Sequence, residues 1–254
     1  MPQWHIGVFI IQKEKQSLTK QWSEADCLSR IVLTHAPRQA TVSLTFDVSR
    51  QMIHGFPGMG ADSRMYPSPW NTLPSFIAHD WPSYESEISI ADVARKIADK
   101  HLIRDGDSLV GSSLGGIVAC EIAKIRRITT LFLIGSAVRK TEVSSFLSIL
   151  RPLVDIAPIK WIQFSAGKIP SDLTQMFSDV DDLFIRAMCH AIFDWEGFDS
   201  SNTKIFRIHG LHDYIIPSPK HADLLFDGGH LLSMTHAKEC VAAIMRYQNE
   251  NHEG

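Results

Sequence analysis

Leu109-Val110-Gly111-Ser112-Ser113-Leu114-Gly115-Gly116 sets a G-x-S-x-G pattern between a β-rich run and an apolar, proline-free stretch from Leu114 to Ile125. In a strand–turn–helix context such a serine sits on a tight, strained turn with its hydroxyl pushed out of the sheet. The glycines matter because β-carbons there collide with the turn and the neighbouring strand. The helix start beneath the serine offers free N–H groups and a positive dipole end to a developing oxyanion. Ser112 fits less well, because Val110 takes its first glycine position. By itself the pattern is equally compatible with a Gly/Ser turn that caps a helix.

Outward from this turn the chain alternates. Met52-Ile53-His54 is a short apolar run that stops in the turn Gly55-Phe56-Pro57-Gly58. Asp62 to Trp70 is expected as a short helix and Ser75 to His79 as a strand. Ile90, Val93, Ala94, Ile97 and Ala98 share one helical face within Ile90 to Ile103. Strands are expected at Asp107 to Val110, Thr129 to Ile134, Thr203 to His209 and Leu224 to Phe226, with a final helix from Thr235 to Tyr247. Alternating strands and helices imply an α/β fold with a mostly parallel central sheet flanked by helices. Residues 139–200 interrupt the rhythm with helical stretches at Ser144 to Leu150 and Asp179 to Phe193. Residues 1–50 are the least regular, with possible strands at Trp4 to Ile11 and Ala40 to Val48.

Composition narrows the class. The 254 residues are 44% hydrophobic and 21% charged, the balance of a globular chain, and suit one α/β domain with a modest insertion. A formal charge of −3 gives no electrostatic reason to expect nucleic acid or an anionic membrane. No apolar stretch approaches the ~20 residues of a membrane span, and the N-terminal run lacks the form of a signal peptide. Cys27, Cys120, Cys189 and Cys240 form no CxxC pair, which points away from a zinc site and toward packed thiols in a reducing, cytoplasmic compartment.

Two further elements follow the serine turn in a meaningful order. Asp213 lies in the loop after the 203–209 run, and His230 follows the Gly228-Gly229 turn after the next short strand. Serine needs a base within hydrogen-bond reach, histidine titrates near neutrality, and a buried carboxylate fixes its tautomer. Ser113, Asp213 and His230 are therefore the candidate catalytic residues. Ahead of them, Phe56 is the candidate second oxyanion donor, with Leu114 the first. His209, His212, His221 and His236 lack the glycine turn. Asp227 competes with Asp213 but is better placed to shape the His230 loop. His54 is expected to order the oxyanion loop.

These residues together resemble the α/β-hydrolase superfamily, in its single-domain branch of carboxylesterases, thioesterases and related lyases. The resemblance covers residues 52–248 and extends to Gly58-Met59-Gly60-Ala61-Asp62-Ser63-Arg64-Met65 and Asp80-Trp81-Pro82. It implies a small-molecule ester or thioester substrate, an acyl-serine intermediate and no cofactor or metal. It also implies a core of residues 52–138 and 201–254, with residues 139–200 as a helical cap. Trp161, Phe164, Met176, Phe177, Met188 and Phe193 are then substrate-pocket candidates, although for any single one the cap's own core is the better-favoured place. C–C or amide cleavage by the same triad, and a non-catalytic binding relative, stay open. Dehalogenation does not fit, since its nucleophile position calls for Asp. The family normally carries a hairpin and a further strand before the oxyanion loop. Residues 1–51 match that only faintly and are expected to be in part an upstream extension. Oligomeric state is not legible.

Overall fold

The computed structural model describes residues 51–143, 176, 181–199 and 203–252, together with the backbone of 30–34 and 41–45. Contacts divide the chain into two units, Met1–Ser49 and Arg50–Gly254. In the first, β1 (Arg30–Thr34) and β2 (Thr41–Thr45) pair antiparallel, Arg30 opposite Thr45 and Thr34 opposite Thr41. β2 lies inside the strand expected at 40–48, whereas β1 falls in a segment read as irregular. The strand expected at Trp4 to Ile11 lies outside the described residues.

The second unit is built on a six-stranded, all-parallel sheet. Its strands are β3 (Ile53–Phe56), β4 (Phe76–Ala78), β5 (Ser108–Ser112), β6 (Thr130–Ile134), β7 (Lys204–Gly210) and β8 (Leu224–Phe226). They lie in the order β4-β3-β5-β6-β7-β8. The helices are α1 (Ile90–Lys100), α2 (Leu114–Ile125), α3 (Asp182–Asp194), α4 (Leu232–Thr235) and α5 (Ala237–His252). After β3 the chain steps one way to β4 and then crosses back to β5. That reversal opens a crevice at the carboxyl ends of β3 and β5, where open α/β sheets place their ligands.

The inner strands β3, β5 and β6 are buried along their whole length, as central strands of a parallel sheet covered on both faces are. Alternate residues still divide between two cores. Leu109, Leu131 and Leu133 join Val93, Ile97, Ile117 and Ile122 of α1 and α2. Val110, Phe132, Ile134 and Ile208 join Val241 and Ile244 of α5. Helix α1 starts on a reciprocal cap, with the Ser89 hydroxyl accepting from the Asp92 N–H and the Asp92 carboxylate accepting from the Ser89 N–H.

Most differences from the sequence reading are at ends. Residues 62–72 form two 3-10 turns, Ser63–Met65 and Trp70–Thr72, in place of a short helix. Strand β3 runs through Gly55 and Phe56, which were expected in the turn. The final helix begins after a separate single turn, α4, that follows His230 directly. The helix expected at 144–150 lies outside the described residues. Among the described residues no helix is long and apolar enough to cross a membrane. Cys120, Cys189 and Cys240 are buried and unpaired, and burial raises their thiol pKa values, to about 11 for Cys189 and about 12 for Cys240.

Candidate active site

Ser113 stands between β5 and α2 at φ 52, ψ −118, a positive-φ conformation uncommon for a residue with a side chain. The glycines around it allow this. A β-carbon on Gly111 would lie 2.3 Å from the Cα of Gly116, so only glycine lets the strand end and helix start touch. The Ser113 N–H donates to the Ile134 carbonyl at 3.0 Å, tying the turn to β6.

Ser113, Asp213 and His230 are brought together from loops after β5, β7 and β8. His230 Nε2 is 2.9 Å from Ser113 Oγ, and His230 Nδ1 is 2.8 Å from Asp213 Oδ2. Both residues are buried, at 7% and 4% exposure, so water competes weakly for these bonds. The other Asp213 oxygen accepts from the Ile215 and Ile216 N–H groups at 2.9 and 3.0 Å. Burial works to raise the Asp213 pKa. The charge and hydrogen bond of His230 and the two backbone donors outweigh it, so the carboxyl titrates below its ordinary range. An ionised Asp213 accepts at Oδ2, which puts the proton on His230 Nδ1 and leaves Nε2 as the acceptor facing Ser113.

Leu114 opens α2, and its N–H has no intramolecular partner among the described residues, as expected for a first-turn amide. Phe56 behaves differently from expectation. It ends β3 opposite Gly111. The Gly55 carbonyl accepts from the His79 N–H at 2.9 Å on the β4 side. The Phe56 N–H, on the opposite edge of that peptide, therefore faces β5 inside the sheet. The Phe56 carbonyl accepts from the buried Tyr66 hydroxyl at 2.5 Å. The chain passes Ser113 two residues later: a β-carbon on Gly58 would lie 3.5 Å from Ser113 Cβ. The next amide, that of Met59, has no intramolecular partner among the described residues. Met59 carries no sequence signal of its own; the nearest is the second glycine of the turn, Gly58. Gly58 is itself fixed, its N–H on Met65 Sδ at 3.1 Å and its carbonyl on Trp81 Nε1 at 3.1 Å.

The other histidines separate cleanly. His54 Nδ1 lies 2.8 Å from His79 Nε2, and His54 Nε2 lies 3.3 Å from Asp107 Oδ2, so this pair joins β3 to the segment after β4. The His79 ring stacks on Phe56 at 5.8 Å. His212 pairs with Asp227 at 3.0 Å on the surface, which takes Asp227 away from His230. His236 stacks on Phe226, and His221 is exposed. His209 is fully buried, with neither ring nitrogen hydrogen-bonded among the described residues, and burial and the nearby Arg207 charge lower its pKa to about 4.

Of the pocket candidates, Met188 is fully buried in the cluster holding Phe56, Leu114, Ile215 and Ile216, and Phe193 packs partly buried against it. Met176 is fully buried in the other cluster. Trp161, Phe164 and Phe177 lie outside the described residues. Helix α3 meets the segment after β3 through Cys189, whose sulfur is 3.6 Å from that of Met59, and the segment after β4 through Phe184, 5.3 Å from the Trp81 ring.

A parallel sheet with a serine on the sharp turn after its inner strand, facing a histidine and an aspartate from later loops, defines a class of fold. Residues 52–243 match the family described as the alpha/beta hydrolase family, and the chain belongs to it. Among solved structures, an esterase from Thermogutta terrifontis aligns with a TM-score of 0.60 at 17% identity, covering 79% of this chain and 90% of that one. An esterase from Exiguobacterium antarcticum gives 0.60 at 17%, covering 78% and 92%. The N-acyl homoserine lactonase AidH, complexed with N-butanoyl homoserine, gives 0.62 at 14%, covering 80% and 90%. Among curated proteins no match is found.

Proposed function

We propose that this protein is a serine hydrolase that cleaves a small or medium carboxylic ester or thioester through an acyl-Ser113 intermediate. Membership of the alpha/beta hydrolase family supports a hydrolase. The observation that carries the finer reading is the unbroken chain from Asp213 through His230 to Ser113 Oγ, with steps of 2.8 and 2.9 Å.

Ser113 Oγ attacks the carbonyl carbon while its proton passes to His230 Nε2. Asp213 holds Nδ1–H and stabilises the imidazolium. Negative charge gathers on the former carbonyl oxygen, which the Leu114 N–H receives. Met59 replaces Phe56 as the second donor in this reading, because its amide has no partner among the described residues and the Gly58 step borders Ser113. As the tetrahedral adduct collapses, His230 returns its proton to the departing alkoxide or thiolate. Water then repeats the sequence on the acyl-enzyme, releasing the acid and restoring Ser113.

Residues 139–200 act as the cap that selects the acyl group. Helix α3 supports this, since it presents Cys189, Met188 and Phe184 toward the oxyanion turn. The α3 side chains it brings there, Phe184, Met188 and Cys189, are apolar, which favours an uncharged acyl chain. A cytoplasmic location belongs to the same reading and draws on the unpaired buried cysteines. Intact-mass analysis after treatment with a fluorophosphonate tests the core of the proposal. One adduct on Ser113, absent from Ser113→Ala, is expected; no adduct near neutral pH overturns it.

A further inference from the structure

The Ser113 carbonyl has three donors around it. The Gly116 and Ile117 N–H groups, at 3.0 and 3.4 Å, are those any helix start supplies. The third is the hydroxyl of Ser136 at 2.7 Å, from the segment after β6. Ser136 is fully buried. It reaches this position only because Gly116 lacks a side chain: a β-carbon there would lie 2.2 Å from Ser136 Oγ.

The Ser136 backbone is itself held on both sides. Gly135, at φ +52, donates its N–H to the Ile208 carbonyl of β7 at 2.9 Å. The Ser136 carbonyl accepts from Arg207 Nη2 at 3.0 Å. Arg207 is oriented in turn by both oxygens of Glu142, at 3.0 and 2.9 Å. A buried guanidinium with a paired carboxylate is a stiff anchor, because its fork fixes both partners' directions.

The consequence lies in one peptide plane. The Ser113 carbonyl and the Leu114 N–H are opposite edges of the same rigid unit. Whatever holds the carbonyl downward holds the N–H upward, toward the space above Ser113. Donation to the carbonyl also polarises the peptide and strengthens the N–H as a donor. We propose that Ser136 is a positioning residue for the oxyanion site, acting through the Ser113–Leu114 peptide, with Arg207 and Glu142 setting its place. The inference rests on the acyl-Ser113 reading above. It adds a side chain that never touches substrate yet acts on the transition state more than on the ground state.

The test compares wild type, Ser136→Ala and Ser136→Cys as full chains, using a p-nitrophenyl ester, an alkylboronic acid that forms a tetrahedral adduct on serine, and the product carboxylate. For Ser136→Ala, kcat should fall about tenfold, short of the 10²–10³ seen when an oxyanion donor itself is removed. KM and carboxylate affinity should stay within about twofold, the size of a minor change in uniform binding. Boronate affinity should weaken by the same factor as kcat/KM. Ser136→Cys, which fills the same space with a weaker donor, should fall between. Should Ser136→Ala fail to fold, Ser136→Cys carries the comparison alone. Unchanged kcat, or equal weakening of boronate and carboxylate, overturns the inference. If wild type takes no fluorophosphonate on Ser113, the parent reading and this one fall together. If wild type is labelled and Ser136→Ala reacts at the same rate, this one alone falls.

Discussion

Gly115 presses directly against Phe56: a β-carbon on Gly115 would lie 2.2 Å from the Phe56 carbonyl oxygen and 2.5 Å from that of Pro57. The helix start that carries the Leu114 amide and the loop leading to Met59, the two proposed oxyanion donors, are thus in backbone contact. Both partners are main chain, and neither gives way cheaply. Gly115→Ala should separate α2 from β3, cost about 1–3 kcal/mol in stability and lower kcat/KM by ~10²-fold through misplacement of the site. Thermal melting and steady-state kinetics measure the two effects; an active, equally stable variant would show that the contact relaxes.

Asp213 spends one oxygen on His230 and the other on two backbone N–H groups. Asp213→Asn keeps the shape but removes the charge and offers an amide where an acceptor is needed. His230 is then free to adopt the tautomer with its proton toward Ser113. A fall in kcat of ~10⁴, with the fold retained by circular dichroism, is expected from the corresponding change in a serine protease. A loss under tenfold would argue against Asp213 as the orienting carboxylate.

Removing one N–H, beside a variant that changes only the side chain, separates the two oxyanion candidates. Met59→Pro should lower kcat by about 10²–10³, whereas Met59→Leu, which keeps the amide, should stay near wild type. Boronate affinity should follow kcat in the proline variant. Normal turnover by Met59→Pro would return the assignment to Phe56.

Two buried histidines set an acid limit on stability. His79 is depressed to about 3 and His209 to about 4, in each case chiefly by burial. In the unfolded chain both titrate near 6.5, so below that value the unfolded state binds more protons. Their neutral burial therefore costs no stability above about 6.5, and stability declines as pH falls from about 6.5 toward about 4. Urea midpoints taken from pH 7.5 to 4.5 should decline in that window, and more shallowly for His209→Gln. An identical slope in the variant would remove His209 from the account.

Trp195 Nε1 donates to Glu121 Oε1 at 2.8 Å, fixing the end of α3 to α2. Glu121 is 7% exposed, so it has little water to replace the lost donor, though Lys124 remains beside it. Trp195→Phe should cost about 1–3 kcal/mol, read as a lower urea midpoint with unchanged slope.

Much of the fold was legible because periodicity and turn chemistry are local. Helix α2 and strand β8 have the bounds read from sequence, since a proline-free apolar run and a Gly-Gly turn mark them without help from elsewhere. The 62–72 segment was misread because its apolar residues answer to the tertiary core. Met65 and Trp70 are buried in the α5-side cluster and Trp70 Nε1 is hydrogen-bonded to Ser233, 163 residues away.

The same division runs through the site. Sequence alone named Ser113, Asp213 and His230 and their order, because each follows a strand with its own turn signal. It also demanded glycine around the serine, because sterics at a tight turn are local. Only the tertiary structure showed that the Phe56 amide turns away from Ser113 and into the sheet. The direction of an N–H depends on which neighbouring strand takes the carbonyl of its own peptide, and His79 takes that of Gly55. Nor does spacing say that Ser136 and Arg207 stand beneath the nucleophile turn. They meet it across strands β6 and β7, where the contact is set by sheet register.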